Sequence, residues 1–360
     1  MRIGIDCHVL DKTQTGVARY LINLLKYWEN SGQAEFIFYS AKNVKNPLNI
    51  SSTALYYNWS LPRRAKKDKV DILFLPFYMR PFFCKVPTAV AIHDISYAIH
   101  PEWFDFYHRF IYNFLTRRAI KKSKMIFVCS EYTKKEILRH FKPSPDKIKV
   151  VLFAADDKFN NQKDLNRIQE IKQKYGLKNR YLFYVGSIFN RRHVWETIKA
   201  FELLKTARPE LVEGLLISGR NLTKPFQDID AEIKKINKRF PDTIIKTDYV
   251  DEEDLIYLYQ GAELFIYLSE YEGFGLPPLE AMASGTPVLS TKKTSLAEVL
   301  GNYPIWVDNP SNVEEIEEKM VKILSDEKLR NKMIDAGLQR AKHFSWRQTA
   351  EKTYALLSGK

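Results

Sequence analysis

Short runs of β-branched and aromatic residues alternate with helix-length amphipathic segments along the whole of this 360-residue chain. Such alternation is typical of α/β units, in which helices cover both faces of a parallel sheet. In the first half the predicted strands are Arg2–Cys7, Glu35–Tyr39, Ile72–Leu75, Thr88–Ile92, Lys124–Val128 and Lys149–Leu152. In the second half they are Tyr181–Val185, Leu215–Ile217, Thr243–Lys246, Leu264–Leu268 and Pro287–Leu289. The pattern predicts an α/β fold of doubly wound, Rossmann-like sheets.

A polar, charge-rich passage before Tyr181 interrupts this alternation. The chain is also longer than one hydrophobic core usually supports. We therefore expect two Rossmann-like domains, residues 1–160 and residues 161–344, that face each other across a cleft. Ligands of doubly wound sheets bind beyond the carboxyl ends of the strands, so the residues at those ends are the first candidates for function.

The composition argues against several classes of protein. The opening stretch turns polar too early for a signal peptide and no run reaches about 18 apolar residues, so we expect a cytoplasmic protein. The three cysteines lie far apart without CxxC spacing, which disfavours a disulfide framework and a zinc site. A single glycine lies between the first strand and the next helix, which argues against an NAD or FAD fingerprint.

The net charge of +13 is concentrated in the first half of the chain. Residues 1–164 hold 27 Lys/Arg against 15 Asp/Glu, whereas the remainder holds 29 against 28. This asymmetry indicates an anionic partner, and since no nucleic-acid-binding module is recognisable, we expect none of that class. The basic amphipathic segment Phe106–Lys124 has two open interpretations: it lies on an anionic membrane, or its apolar face packs on the sheet.

The stretch YEGFGLPPLEAMASGTPVLS places two carboxylates, Glu272 and Glu280, on either side of a segment rich in glycine and proline. It follows a predicted buried strand, and its prolines suit the first turn of a helix. The amides before those prolines can then face an anion near the helix N-terminus, and the glycines permit close approach of a ligand. The residues that carry these amides are Gly273, Phe274, Gly275 and Leu276.

Two arginines follow another strand end, in the stretch GSIFNRRH. Gly186 and Ser187 end the predicted strand, and Arg191 and Arg192 precede the next helix. Guanidinium groups in such a place suit a diphosphate, which they can bind in a bidentate manner.

Two strand ends in the first half carry weaker signals. His93 and Asp94 end the strand in AIHDIS, where the imidazole could contact a sugar hydroxyl or a phosphate and the carboxylate could orient it. A purely structural pair remains the alternative. Gly16 precedes an amphipathic helix and either admits a phosphate or sugar to its N-terminus or serves as a simple turn glycine.

Taken in order, TGVARY, HDIS, VCSEYTKKEI, GSIFNRRHVWETIKAF and SEYEGFGLPPLEAMASGTPVL resemble the motifs of the family 4 glycosyltransferases, which have the two-domain GT-B fold. The resemblance spans essentially the whole chain, and the nearest relatives look like mannosyltransferases of bacterial O-antigen and other surface polysaccharides. It implies that the final helix, residues 345–360, packs back on the first domain.

The resemblance assigns roles to the candidate residues. Glu280 matches the glutamate that binds the ribose hydroxyls, and Glu272 the one near the transferred sugar. The implied catalytic residues are His93, Asp94, Arg192 and Glu272, with no metal ligand. The implied donor-binding residues are Gly16, Gly186, Ser187, Arg191, Arg192, Val250, Glu272, Gly273, Phe274, Gly275, Leu276 and Glu280. The chain departs from the family's Arg–Lys–Asn triplet, which here reads Arg191, Arg192, His193.

The resemblance thus implies a retaining, metal-independent transfer of a hexose, with GDP-mannose as the favoured donor, to a growing, lipid-linked surface glycan. No cofactor is expected beyond the nucleotide sugar substrate. The expected partners are that donor, a glycan or lipid-linked glycan acceptor, and the inner face of the cytoplasmic membrane as a peripheral docking surface. The alternative is a catalytically inactive GT-B subunit that binds sugar nucleotides.

Overall fold

The computed structural model describes residues 1–11, 16–28, 34–41 and 52–359. The chain divides into two compact units, Met1–Phe153 with Ser345–Lys360, and Ala154–Phe344. The sequence places the division after residue 160, seven residues later. Phe159 lies in the second unit, where its ring packs edge-on against Tyr259, with centroids 5.7 Å apart.

The first unit is built on a six-stranded parallel sheet with the order β2-β1-β3-β4-β5-β6. Its strands are β1 Arg2–Asp6, β2 Glu35–Tyr39, β3 Ile72–Leu75, β4 Thr88–Ile92, β5 Met125–Val128 and β6 Ile148–Val150. Its helices are α1 Gly16–Trp28, α2 Ser52–Leu55, α3 Leu61–Lys67, α4 Ser96–Ile99, α5 Phe106–Lys122 and α6 Glu131–Phe141. The central strands β3 and β4 are buried along their whole length, which explains why both read as continuous apolar runs.

The second unit repeats this architecture with the order β12-β11-β10-β7-β8-β9. Its strands are β7 Tyr181–Val185, β8 Gly214–Ser218, β9 Ile244–Thr247, β10 Leu264–Tyr267, β11 Val288–Thr291 and β12 Ile305–Val307. Its helices are α7 Leu165–Lys174, α8 Val194–Ala207, α9 Ile229–Arg239, α10 Leu255–Gly261, α11 Leu276–Ala283, α12 Thr294–Leu300, α13 Val313–Ser325 and α14 Glu327–Ala341. The prediction of two doubly wound α/β units is confirmed. Strand β12 is absent from the predicted strands, because three residues at a sheet edge are too few to show an alternation of apolar and polar residues.

The chain ends in α15, Trp346–Ser358, which belongs to the first unit. The indole Nε1 of Trp28 in α1 donates a hydrogen bond to the carbonyl of Ala350, at 2.9 Å. The hydroxyl of Thr349 donates to the carbonyl of Leu152, at 2.6 Å. The ring of Trp346 stacks on Phe153, with centroids 5.4 Å apart. The last helix therefore completes the core of the unit that the chain builds first.

Two further features concern compartment and covalent chemistry. Within the described residues, no helix combines the length and apolarity needed to cross a membrane. The three cysteines are buried and form no disulfide.

We expect Trp346→Ala to lower the free energy of unfolding of the first unit by about 3–5 kcal/mol, since it removes a large side chain that is only 2% exposed. Denaturant unfolding measures the change, and the transition of the second unit should not move. The matched control is Trp59→Ala, at a side chain 51% exposed, with an expected loss below about 1 kcal/mol. Equal losses of free energy of unfolding in the two variants would show that Trp346 of α15 contributes no more to the core than an exposed side chain does.

Candidate active site

Arg192 and Glu272 meet at the carboxyl edge of the second sheet. Arg192 ends a short 3-10 turn, Asn190–Arg192, between β7 and α8, and Glu272 lies between β10 and α11. Since β7 and β10 are neighbouring parallel strands, their loops emerge side by side. The Glu272 carboxylate oxygen Oε1 accepts from Nε of Arg192 at 2.9 Å and lies 2.8 Å from its Nη2. Both side chains are largely buried, with 13% and 15% of their surface exposed.

The two oxygens of the Glu272 carboxylate have different surroundings. Besides the guanidinium, Oε1 accepts from the hydroxyls of Tyr267 at 2.8 Å and Ser269 at 2.9 Å. No described residue hydrogen-bonds to Oε2. The protein therefore fixes this carboxylate by one oxygen and leaves the other able to accept a hydrogen bond from a ligand hydroxyl.

Arg192 is held by more than its ionic partner. Its Nη1 donates to the carbonyl of Ser187 at 2.9 Å, so Ser187 and Glu272 engage three of its five N–H groups, and the others can serve the Tyr184 hydroxyl or an anion. The guanidinium also lies 5.2 Å from the ring centre of Tyr267. Burial acts to lower the pKa of Arg192, but the charge of Glu272 and the neighbouring tyrosines outweigh it, and the pKa is raised. Arg192 is positively charged at every physiological pH.

Gly186 makes this arrangement sterically feasible. Its φ is +134°, and a Cβ built there lies 2.9 Å from Nη1 of Arg192. The hydroxyl of Tyr184 donates to the same Ser187 carbonyl, at 3.0 Å. Burial, as the largest effect, raises the pKa of Tyr184 to about 12, so it stays a donor. The predicted residues Gly186 and Ser187 thus meet Arg192 through backbone groups.

Arg191 and His193 flank this arginine and contribute differently. The carbonyl of Arg191 accepts from the amide of Glu270 at 2.9 Å, which joins the two loops a second time. The Arg191 guanidinium lies over the ring of Phe189, 4.1 Å from its centre. His193 adopts φ +48° and is buried, and its ring nitrogens hydrogen-bond to no described residue, although Glu196 and Glu270 lie 3.5 and 3.6 Å away.

The predicted helix start after the first glutamate is present. Gly275 has φ +100° and caps α11, and two prolines follow in the first turn. A Cβ at Gly275 lies 2.5 Å from Cδ2 of Leu296, so only glycine fits. The hydroxyl of Ser295 donates to the carbonyls of Glu272 at 2.7 Å and Phe274 at 3.1 Å. This holds the loop that carries Gly273, Phe274 and Gly275 in one conformation ahead of Leu276.

Thr294 is a strained residue beside the same loop, and no local sequence pattern identifies it. Its φ is +49°, a rare conformation for a β-branched residue. Its hydroxyl oxygen accepts from the backbone amide of Glu272, at 3.1 Å. Strain of this kind persists where surrounding contacts impose it, and it is common at functional sites.

The two residues assigned to the nucleoside lie on other elements of the second unit. Glu280 is buried in α11, where its Oε2 accepts from the hydroxyl of Tyr259 at 3.1 Å. Val250 is buried in the loop between β9 and α10. That loop is anchored, because the amide of Asp251 donates to the hydroxyl of Tyr175 at 3.1 Å. The ribose and base contacts of these two residues stay predictions.

His93, Asp94 and Gly16 belong to the first unit. The imidazole Nε2 of His93 is 2.9 Å from the carbonyl of Pro76, and burial lowers the pKa of His93, although Pro76 and Asp94 act in the opposite direction. The ring is therefore neutral at pH 7, with its proton on Nε2. Asp94 does not hydrogen-bond to it: its Oδ1 accepts from the amide and hydroxyl of Ser96, at 2.8 and 2.7 Å. Gly16 begins α1, and the preceding positions 12–15 lie outside the described residues.

A buried carboxylate at the end of β1 is missing from the predicted site. The Asp6 Oδ1 accepts from the hydroxyl of Tyr56 at 2.8 Å, and Oδ2 accepts from the hydroxyl of Tyr57 at 2.7 Å. The Nδ1 of His8 lies 2.8 Å from Oδ2, which fixes the imidazole at the carboxyl edge of the first sheet. The available signal was a lone aspartate closing an apolar strand, RIGID. That signal does not reveal the tyrosines, which lie 50 residues further on.

Metal ligation has no candidate in the part of the chain that the structure describes, where no group of three or more His, Cys, Asp or Glu side chains could hold an ion. Metal independence stays a prediction.

The chain matches two models of protein families and several known proteins. Residues 135–340 match the model "Glycosyl transferases group 1" and residues 15–158 match "Glycosyltransferase Family 4". The chain is 31% identical over 321 residues to the O-antigen chain mannosyltransferase B of Escherichia coli, which covers 86% of this chain and 80% of that protein. It is 29% identical over 277 residues to the serotype-specific mannosyltransferase WbdA of Escherichia coli, which covers 73% of this chain but 32% of that protein. The structure of Anabaena HepE in complex with UDP and glucose has a TM-score of 0.74 at 15% identity, over the whole of both chains, which shows a shared fold.

We expect Gly275→Ala to destabilise the second unit by about 2 kcal/mol or more, because the new Cβ meets Leu296 and the backbone conformation is strained for alanine. The matched control is Gly16→Ala at the start of α1, where a Cβ meets no described residue within 4 Å. That change should be neutral or slightly stabilising. Thermal unfolding measures both, and a Gly275 variant as stable as the Gly16 variant would contradict the described loop.

Proposed function

Because this chain belongs to the family 4, group 1 glycosyltransferases, we propose that it transfers a hexose from a nucleoside diphosphate sugar to a growing surface glycan, with retention of configuration. Mannose from GDP-mannose is the donor we favour, since the relatives of this chain include an O-antigen chain mannosyltransferase and a serotype-specific mannosyltransferase. The acceptor we favour is lipid-linked.

The contact between Arg192 and Glu272 is the observation that carries this proposal. It places a permanent cation beside a carboxylate that has one oxygen without a hydrogen bond from any described residue. A nucleoside diphosphate sugar needs both kinds of group, because its diphosphate is anionic and its sugar carries hydroxyl donors. The amides near the start of α11 supply further donors for the anion.

In the proposed reaction the bond between the anomeric carbon and the diphosphate oxygen breaks, and its electron pair leaves with the phosphate. Arg192 stabilises the charge that develops on that oxygen, while the Oε2 of Glu272 orients a sugar hydroxyl. The acceptor oxygen attacks from the face that the phosphate leaves, and the departing phosphate takes its proton. No metal or cofactor takes part in this scheme, and addition of EDTA tests that point.

The alternative is an inactive subunit that binds sugar nucleotides, based on the triplet Arg191, Arg192, His193. The ion pair to Glu272 is formed with arginine in the second position of that triplet, so the departure from lysine leaves a charged partner in place. Release of nucleoside diphosphate that depends on acceptor would exclude the inactive subunit.

We expect GDP and GDP-mannose to raise the melting temperature more than UDP, UDP-glucose or dTDP-glucose. At a hundredfold excess over Kd the stabilisation is about 2.7 kcal/mol. A larger increase in melting temperature with UDP compounds would show that the donor is a UDP-sugar instead of GDP-mannose. The absence of any increase with all of these nucleotides would contradict the proposed function. Two variants separate the roles assigned to the glutamates. Glu280→Gln should weaken the binding of GDP and of GDP-mannose equally, whereas Glu272→Gln should weaken the binding of GDP-mannose more than that of GDP. Each shift is measured against the same variant without ligand.

We expect Arg192→Ala and Glu272→Ala each to lower sugar transfer by roughly 10² or more, the scale of a lost transition-state contact. Steady-state kcat with the best donor is the measurement, and Arg192→Lys and Glu272→Gln serve as folded alternatives. The control is Glu270→Gln, at a neighbouring carboxylate 44% exposed, with an expected change of a few-fold at most. Near-wild-type turnover in either alanine variant would show that the substituted residue does not take part in the mechanism.

A further inference from the structure

Four hydroxyl side chains at the end of β11 and the start of α12 contact the loop that carries Glu272. They bond to backbone groups of residues 267–274. Because β10 and β11 are neighbouring parallel strands, the two segments leave the sheet side by side. We call these four residues the hydroxyl clamp: Ser290, Thr291, Thr294 and Ser295.

Thr294 differs from the other three members of the clamp. Ser290, Thr291 and Ser295 are fully buried, and each donates its proton to a carbonyl of the loop. Thr294 is partly exposed, and its hydroxyl oxygen accepts from the backbone amide of Glu272 at 3.1 Å. This amide donates to no other described residue. The hydroxyl of Thr294 therefore satisfies a backbone donor of the candidate site for which the described residues offer no second partner.

The backbone conformation of Thr294 is unfavourable for its residue type. Its φ of +49° lies in the left-handed region, where the branched side chain crowds the following carbonyl oxygen. Glycine adopts this conformation without that penalty, but glycine would leave the amide of Glu272 without a partner. Strain of this kind persists where neighbouring contacts impose it, and it clusters at active sites. The hydroxyl bond to Glu272 is thus the feature that threonine supplies and glycine does not.

Glu272 is held at three places, and Thr294 controls one of them. Its Oε1 receives the guanidinium and the two hydroxyls described above, and its carbonyl accepts from Ser295. Its amide donates to Thr294. The backbone is therefore fixed on both sides of the Cα, and one carboxylate oxygen is bound. These contacts together determine the position of Oε2 before a ligand arrives.

We propose that Thr294 is a positioning residue for Glu272, because its hydroxyl fixes the backbone from which Oε2 reaches a hydroxyl of the donor sugar. Preorganised groups bind more tightly because they need not be ordered when the ligand arrives. This inference deepens the proposed function and rests on it, since it assigns a further residue to the sugar part of the donor. A role in stability alone is the competing explanation.

Binding of a nucleoside diphosphate and of its sugar nucleotide tests the proposal, with the pair that stabilises the wild type most, GDP and GDP-mannose by our expectation. Thr294→Val keeps the size and branching of the side chain but removes the hydroxyl. It should lower the affinity for the sugar nucleotide about tenfold, the scale of one hydrogen bond, and leave the affinity for the nucleoside diphosphate nearly unchanged. Thr294→Ser keeps the hydroxyl and should bind both ligands like the wild type. Titration calorimetry measures the dissociation constants.

A double-mutant cycle separates positioning from stability. If Thr294 acts through Glu272, Thr294→Val should have no further effect on sugar nucleotide affinity in the Glu272→Gln background. The matched control is Thr243→Val, at another buried threonine of this unit, whose hydroxyl donates to the carbonyl of Phe240 at 2.9 Å. Thr243 precedes β9 and lies at the opposite edge of the sheet, so this variant should lose stability without a change in either affinity.

Backbone strain gives a second measurement. Thr294→Gly removes the strain and the hydroxyl together, so it should unfold at a higher temperature than Thr294→Val, although it discards more atoms. It should show at least the same loss of affinity for the sugar nucleotide. The glycine variant carries the same comparison if the valine variant does not fold.

The possible outcomes distinguish this inference from the proposed function. Wild-type affinities in Thr294→Val, equal losses for the two ligands, or an additive effect in the Glu272→Gln background would assign Thr294 a structural role alone. Any of these results overturns the inference while the proposed function stands. If neither a nucleoside diphosphate nor a sugar nucleotide binds the wild type, the proposed function fails and the inference fails with it.

Discussion

The ion pair between Arg192 and Glu272 is the contact on which the candidate site depends. It joins the loops that follow two neighbouring strands, and it fixes both charged groups while one carboxylate oxygen receives no hydrogen bond from the described residues. A buried carboxylate without its arginine, or the arginine without its carboxylate, would carry a large desolvation penalty. Each charge is therefore stable in its position because the other is present.

The neighbouring residues are explained by this pair. Gly186 has no side chain because the guanidinium occupies that space, and Ser187 contributes its carbonyl rather than its hydroxyl. Thr294 has a strained backbone conformation, and its hydroxyl oxygen accepts a hydrogen bond from the amide of Glu272. Mutually dependent contacts of this kind hold the site in one geometry before any ligand binds, which lowers the cost of binding the transition state.

The first unit also has a carboxylate at a strand end that is held by tyrosine hydroxyls, but its hydrogen bonds are distributed differently. Asp6 is surrounded by Tyr56, Tyr57 and His8, and both its oxygens accept hydrogen bonds. Glu272 also receives hydroxyl donors, but on one oxygen only. In the first arrangement both carboxylate oxygens are occupied and one of them orients the imidazole of His8. In the second arrangement one oxygen of Glu272 can still accept a hydrogen bond from a ligand. Tyrosine hydroxyls serve both, since a buried phenol is a good donor and stays protonated.

Local patterns were enough to predict the doubly wound class, because apolar runs that alternate with amphipathic segments can be read over a few residues. They also determined the helix start at Gly275 and the loops that carry Arg192 and Glu272, because glycine, proline and strand ends have local signatures. Which side chains meet followed from the folded structure: the ion pair spans 80 residues, and the contact between Asp6 and Tyr57 spans 51. It also decided that Asp94 accepts hydrogen bonds from Ser96 rather than orienting His93, and that four aromatic side chains of α5, Phe106, Tyr107, Phe110 and Phe114, are exposed. Contacts across such separations depend on strand order, and strand order follows from the packing of the whole sheet.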